Sequence, residues 1–180
     1  TSGRELWKSD GTDAGTVMVK DIMTGSGSST PQEIINTGGT IFFSATNNAS
    51  DIELWKSDGT TAGTVRVKDI RAGVTSSGVA HLTNLNGVVY FTAEDGTNGI
   101  ELWKSDGSAA GTVMVKDIYA GASSSSPLQL FAYSGKIFFA ASEPVNGREL
   151  WKTDGTDAGT VLLKDIRSGT LGSGPNMLTN

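Results

Sequence analysis

Short apolar alternations run along this chain, separated by clusters of Gly, Ser, Asn and Asp. No window combines the apolar spacing of a helix with helix caps. Residues 81–118 show the pattern. HLTNL (81–85) is half apolar and is followed by NG (86–87), a dipeptide that tolerates the positive φ of a two-residue hairpin. VVYFTAE (88–94) is β-branched and aromatic, as strands prefer. DGTNG (95–99) is a loop, IELWKS (100–105) a third strand, DGSAAGT (106–112) a turn and VMVKDI (113–118) a fourth strand. A Gly/Ser stretch, AGASSSS (120–126), leads onward. The pattern predicts four antiparallel strands, named A to D in chain order.

The pattern then returns at a fixed step. Trp7, Trp55, Trp103 and Trp151 stand 48 residues apart, as do Gly11, Gly59, Gly107 and Gly155, and Asp21, Asp69, Asp117 and Asp165. Tandem four-stranded units of about 45 residues follow the blade grammar of a β-propeller. The predicted fold is therefore all-β, a β-propeller of four-stranded antiparallel blades with about 3.75 blades in 180 residues. Residues 1–180 form a single repeat domain or part of a larger propeller, with units 1–48, 49–96, 97–144 and an incomplete 145–180. A β-solenoid is the competing architecture, and the NG and DG hairpin turns weigh against it.

Comparing units predicts which faces are covered. In strand B, Ile41/Val89/Ile137, Phe43/Phe91/Phe139 and Ala45/Ala93/Ala141 alternate as one packed face, and the opposite face carries Phe42/Tyr90/Phe138. Both faces of B should be covered. In strand D, Val17/Val65/Val113/Val161 and Val19/Val67/Val115/Leu163 are expected to point inward. The residue between them is Met18, Arg66, Met114 or Leu162, so that face is expected to be exposed at least in part.

Bulk composition narrows the function. The chain is 37% apolar and 18% charged, as a folded soluble domain is. Its net charge of −5, without a basic run, argues against nucleic-acid binding and attraction to an anionic membrane. With no cysteine there are no disulfides or thiolate metal sites. No apolar run approaches the ~20 residues of a membrane span. The opening residues TSGRELWK do not read as a signal peptide.

ELWKSDGTDAGTVMVKDI (5–22) and its cousins at 53–70, 101–118 and 149–166 resemble the bacterial ELWxxDGT repeat family. The match covers all four units, with ELW, DG and GTV in each. Ser108 replaces the first threonine in the third unit, and Thr153 replaces the serine before DG in the fourth. The resemblance implies large, secreted or surface-attached proteins with no established enzymatic activity. The unit is also similar to a kelch-type blade. Its turn is loosely similar to the Asp-box of sialidases, although Ser57-Asp58-Gly59-Thr60 lacks every spacer residue of that motif.

Candidate chemistry is sparse. The DGT turns offer hard oxygens for calcium through Asp10, Asp58, Asp106 and Asp154. Only two turns have a second aspartate, Asp13 and Asp157, so the favoured role is structural: the aspartate accepts N–H bonds within its turn and the glycine supplies positive φ. The four tryptophans are expected to be packing residues. Glu5/Glu53/Glu101/Glu149 and Lys20/Lys68/Lys116/Lys164 recur in every unit, whereas an active site is one place. They should stitch the repeat rather than catalyse. His81 is the only histidine and has counterparts Glu33, Gln129 and Met177. It is expected at the surface or in a loop. With no GxSxG, GxGxxG or P-loop, no catalytic residue, metal or cofactor is assigned. Asn48-Ala49-Ser50 matches a glycosylation acceptor.

Variation between units says more. The D–A loops MTGSGSST, RAGVTSSG, YAGASSSS and RSGTLGSG differ, as do the B–C loops NNASD, EDGTNG and EPVNG. In the propeller frame both sets emerge at one rim, opposite the DGT turns, where a rigid scaffold would present them for binding. Arg71, Tyr119 and Arg167 share one repeated position on that rim, with Met23 the fourth, and form a recognition mix. The leading expectation is a non-catalytic module of a secreted or cell-surface bacterial protein that binds a glycan or protein ligand. The runner-up is a structural element that assembles with further copies or blades of itself into an array, filament or oligomer, and a glycan-active enzyme is third. The final unit lacks the analogue of LNGVVYFTAEDG, which is strand B. The chain is therefore expected to belong to a longer polypeptide with more than four blades, whose next residues resemble GVVYFTAEDGTNG.

Overall fold

A computed structural model describes residues 2–48 and 50–179. The described residues contain fourteen strands and no helix. No helix is therefore long and apolar enough to cross a membrane. The first sheet pairs β1 (Leu6–Lys8) with β2 (Val17–Lys20). The second is a meander of β3 (Gln32–Thr37), β4 (Thr40–Thr46), β5 (Ile52–Ser57) and β6 (Val65–Arg66). The third joins β7 (Ala80–Leu85), β8 (Val88–Glu94), β9 (Ile100–Ser105) and β10 (Val113–Lys116). The fourth joins β11 (Leu128–Tyr133), β12 (Lys136–Glu143), β13 (Gly147–Thr153) and β14 (Val161–Lys164). All pairings are antiparallel between chain neighbours, and the first sheet holds only the C and D positions.

Local chemistry closes each meander. The A–B turns use Gly38-Gly39, Asn86-Gly87 and Ser134-Gly135, and both residues of each have positive φ. Such turns match the right-handed twist of the strands they join. Strand A also carries a feature that no turn residue announces. Its register slips between Gln32 and Ile35, between Ala80 and Thr83, and between Leu128 and Phe131. Within these bulges Glu33, His81 and Gln129 hold φ of 56°, 59° and 58°.

Successive sheets approach most closely at their first strands, β3 beside β7 and β7 beside β11. An apolar interface fills the space between each adjacent pair. Between the second and third sheets, Phe42, Leu54, Val67 and Ile70 meet Val89, Phe91, Ala93 and Trp103. Between the third and fourth, Tyr90, Leu102, Val115 and Ile118 meet Ile137, Phe139, Ala141 and Trp151. Between the first and second, Leu6, Val19 and Ile22 meet Phe43, Ala45 and Trp55. Each large side chain buried in this way contributes about 1.5–3 kcal/mol. The strand-B faces are covered on both sides, as the alternation predicts, except at the outer side of the fourth sheet.

Strand D departs from expectation. Val19, Val67 and Val115 are buried, but Val17, Val65, Val113 and Val161 are 36–40% exposed, and Leu163 is 42% exposed. The intervening Met18, Arg66, Met114 and Leu162 are half-buried, and Arg66 and Met114 stand opposite Trp55 and Trp103. Register shifts beside the C–D pairs of the first, third and fourth sheets interrupt strict alternation. D is also the outermost strand of its sheet, so its first residue has no neighbour on one side.

Candidate functional site

The C–D turns form one rim, and their polar groups bond to one another. Oδ1 of Asp10, Asp58, Asp106 and Asp154 accepts the backbone N–H and hydroxyl of Thr12, Thr60, Ser108 and Thr156 respectively. The hydroxyl bond, then the amide bond, holds each carboxyl below its ordinary range. The glycines after these aspartates have φ of 84–93°. Four further glycines, Gly15, Gly63, Gly111 and Gly159, lie under the carboxylates. A Cβ there would stand 2.0–2.2 Å from the aspartate Oδ1. Sequence reading saw the recurring GT but not why its glycine is needed. Across the turn, Ser9, Ser57, Ser105 and Thr153 pair by hydroxyl with Thr16, Thr64, Thr112 and Thr160.

The recurrent lysines join neighbouring sheets at this rim. Lys8, Lys56 and Lys104 donate to the carbonyls of Gly59, Gly107 and Gly155, each at 2.8 Å. Lys20 and Lys68 donate to the carbonyls of Thr64 and Thr112 at 2.7 and 2.8 Å, and Lys116 reaches Asp157. The repeated glutamates work within their own sheet. Glu53 accepts the amides of Ile70 and Arg71, and its equivalents Glu5, Glu101 and Glu149 clasp the same loop through Ser29, Ser125 and Ser173. The side chains of Glu53, Glu101 and Glu149 are fully buried.

In the second sheet the buried carboxylate has company. Oxygens of Asp51, Glu53 and Asp69 lie within 4.8 Å of one another, the one such acidic group among the described residues. Arg66 lies against it, 2.9 Å from Asp51 and 3.4 Å from Asp69. The guanidinium supplies the positive charge that a cation would bring. At the places of Asp51 and Arg66 the other units have Gly3, Gly99 and Gly147, and Met18, Met114 and Leu162. The acid and base therefore occur together. Burial pushes the Glu53 carboxyl up to about 7 against the bonds from Ile70, Ser77 and Arg71, and the charge of Asp51 adds to the rise.

The opposite rim gathers the variable loops. The D–A loop of a sheet folds against the start of its own strand C: the Ser28 and Ser124 hydroxyls accept the amides of Arg4 and Ile100. It also reaches the B–C loop of the next sheet, where Arg71 pairs with Glu94 and lies over Gly96. Of the shared recognition position, Arg71 is engaged in this way, Tyr119 is half-buried and Arg167 is exposed. A cleft of about 380 Å³ opens here on the second sheet, bounded by Gly78 and Val79 of its D–A loop, its wall bearing the hydroxyls of Ser29, Thr30, Ser44, Thr46 and Ser50. The sequence reading singled out the loops but not this cleft, because its hydroxyls come from three segments that only the folded sheet brings together.

His81 lies on β7 with an exposed side chain, facing a shallow cleft shared with Leu128 and Gln129. Of the acceptor motif at residues 48–50, Ala49 lies outside the described residues, and the Asn48 side-chain Oδ1 accepts the amides of Ser50 and Asp51. Trp55, Trp103 and Trp151 are 6–7% exposed and pack between sheets, whereas Trp7 is 55% exposed. Compared with known proteins, the chain matches no protein-family model and no curated protein.

Proposed function

We propose that the chain is a non-catalytic β-propeller module that binds a glycan or protein ligand through its variable loop rim, in a secreted or cell-surface protein. One contrast between the rims carries this reading. On the turn rim, aspartates and hydroxyls bond within each turn, lysines donate to the backbone carbonyls of the next turn, and the arrangement repeats from unit to unit. The loop rim is diversified, it holds a hydroxyl-lined cleft at the second sheet, and Tyr119 and Arg167 lie on the D–A loops that follow the third and fourth sheets. A rigid scaffold holding variable loops is the usual arrangement of a recognition surface. Hydroxyl and amide side chains, such as Ser50 and Gln32, match the alternating donors and acceptors of a sugar. The resemblance to ELWxxDGT repeats agrees with a surface location.

A glycan array and a protein-ligand screen, each run with wild type and with a variant carrying Arg71→Ala, Tyr119→Ala and Arg167→Ala, test the reading. The expected result is saturable binding to one ligand class, weakened at least about tenfold in the variant, a loss of ~1.4 kcal/mol. Turnover of a glycan, or binding unchanged by the rim substitutions, would defeat it.

A further inference from the structure

One place on the loop rim differs from its counterparts in the other sheets. The cleft of about 380 Å³ on the second sheet has Gln32, Ser44, Thr46 and Ser50 in its wall, beside the apolar Ile52 and Val79. In the third sheet the place of Thr46 is taken by Glu94, which Arg71 holds, and the place of Ser50 by Asn98, which is bonded to Asp95. In the fourth sheet Leu128 and Ala140 replace Gln32 and Ser44, and Arg148, in the place of Ile52, donates to the Ser126 carbonyl. A residue that serves the repeat recurs in every unit, and these four do not.

The polar groups of the wall divide by what they still offer. A hydroxyl has one hydrogen to donate and two lone pairs. Thr46 Oγ1 donates to the Asn48 carbonyl and Ser29 Oγ to the Glu5 carboxylate, so both have only lone pairs left. Ser44 and Thr30 donate to the carbonyls of Gln32 and Ser28 over 3.4 and 3.5 Å, long bonds that a better acceptor can replace. The Ser50 hydroxyl and the Gln32 side-chain amide are exposed and have no partner among the described residues. None of the residues lining the cleft is charged. Carboxylates lie behind the wall instead: Glu5 bonded to Ser29, and Asp51, 2% exposed, next to Ser50. The guanidinium of Arg66 is already bonded to Asp51 and Asp69. An anion entering here would lose its water without gaining a charge-assisted bond. A polyol brings both hydrogens and lone pairs, and its C–H groups can rest on Ile52. The volume lies within the ~300–1,000 Å³ of small-molecule sites.

We propose that this cleft is the ligand site of the loop rim and that its ligand is a neutral glycan, one without carboxylate or sulfate groups. Gln32 and Ser50 donate to sugar oxygens, Thr46 accepts from a sugar hydroxyl, and Ile52 underlies the C–H face of the ring. Built on the reading of the loop rim as a binding surface, this assignment excludes acidic glycans and confines binding to the second sheet. The D–A loop carrying Gly78 and Val79 is the one that Arg71 fastens to Glu94, so freeing Arg71 disturbs the cleft as well.

A glycan array in which neutral oligosaccharides stand beside their uronic, sulfated and sialylated counterparts tests this. The wild-type chain should bind neutral members saturably and prefer them to the acidic counterparts by at least about tenfold. The variant Gln32→Ala/Ser50→Ala, changed at two exposed positions, should bind at least about tenfold more weakly and keep its melting temperature. Thr46→Val removes an acceptor at nearly constant volume and should weaken binding likewise, with its melting curve read in parallel because Thr46 also holds the turn at Asn48. Gln32→Lys puts a cation in the wall and should shift the preference toward the acidic counterparts. Preference of the wild type for acidic members overturns the proposal. So does neutral binding that survives Gln32→Ala/Ser50→Ala but is lost in Arg71→Ala/Tyr119→Ala/Arg167→Ala, in which case the rim binds elsewhere than in the cleft. Binding to a protein in the ligand screen with none on the array overturns the neutral glycan and leaves the rim reading standing, and binding to neither overturns both.

Discussion

The third and fourth sheets are written in nearly the same words and have different surroundings. Ile118 is 8% exposed and Ile166 53%, and Val115 is 5% exposed against 42% for Leu163. The difference extends to ionisation. Burial pushes the Glu101 carboxyl above its ordinary value despite bonds from Ser125, Ile118 and Tyr119. Burial pushes Glu149 up as well, but the bonds from Ser173, Ile166 and Arg167 outweigh it, and its carboxyl sits below the ordinary value. The donor set is the same and both carboxyls are fully buried, but the protein packed around them differs, since Ile118 is covered and Ile166 is 53% exposed. In a chain of repeats, burial belongs to the neighbour as much as to the residue, as nearest-neighbour coupling requires.

The largest test of this contrast compares tryptophans. Trp55→Ala should cost about 3–5 kcal/mol, because its ring is buried against the first sheet. Trp7→Ala, at an exposed outer face, should cost less than about 1 kcal/mol. Urea unfolding of the two variants measures both, and equal losses would show that position within the repeat, not its neighbour, sets burial.

A smaller effect is expected from pH. The Glu53 carboxyl is raised to about 7, so the folded chain holds a proton that the unfolded chain releases near 4.5. Its contribution to stability is greatest below about 4.5 and declines as pH rises through about 7. Glu149 has the opposite sign: its lowered value contributes stability above the ordinary carboxyl range, which is lost as pH falls through the folded value. The rise at Glu53 corresponds to roughly 3 kcal/mol of unfolding free energy between pH values of about 4.5 and about 7. Denaturation curves from pH 4 to 8 should therefore flatten in Glu53→Gln and stay unchanged over the 5–8 range in Glu149→Gln. The Arg66–Asp51 pair adds a check, since Asp51→Gly should bring Glu53 back toward the ordinary value by removing a neighbouring negative charge.

The smallest effect separates the lysines. Lys104→Met removes a bond to the Gly155 carbonyl and should cost about 0.5–1.5 kcal/mol. Lys152→Met removes no such bond and should leave the melting temperature within error. A matching loss at Lys152 would mean that the lysine stem, not its ammonium, provides the stabilisation.

The sequence by itself determined the strands, their order, their turns and the period. These rest on local physics: the two-residue alternation of strands, Asn and Gly at positive φ, and an aspartate folded over its own turn. It also marked the glutamates and lysines as serving the repeat, because a residue present in every unit cannot belong to one site. Only the tertiary structure decided how those roles divide, with glutamates clasping their own sheet and lysines reaching the next. Strand D was misread because a register shift between strands leaves no mark on either strand alone. The bulges at Glu33, His81 and Gln129 were invisible for a related reason: positive φ at a non-glycine residue is imposed by neighbouring strands, not by the residue. The hydroxyl-lined cleft, the pairing of Arg71 with Glu94 and the open face of the fourth sheet all join residues from different units. Periodicity records what each unit has in common, and contacts between units depend on which neighbour is present.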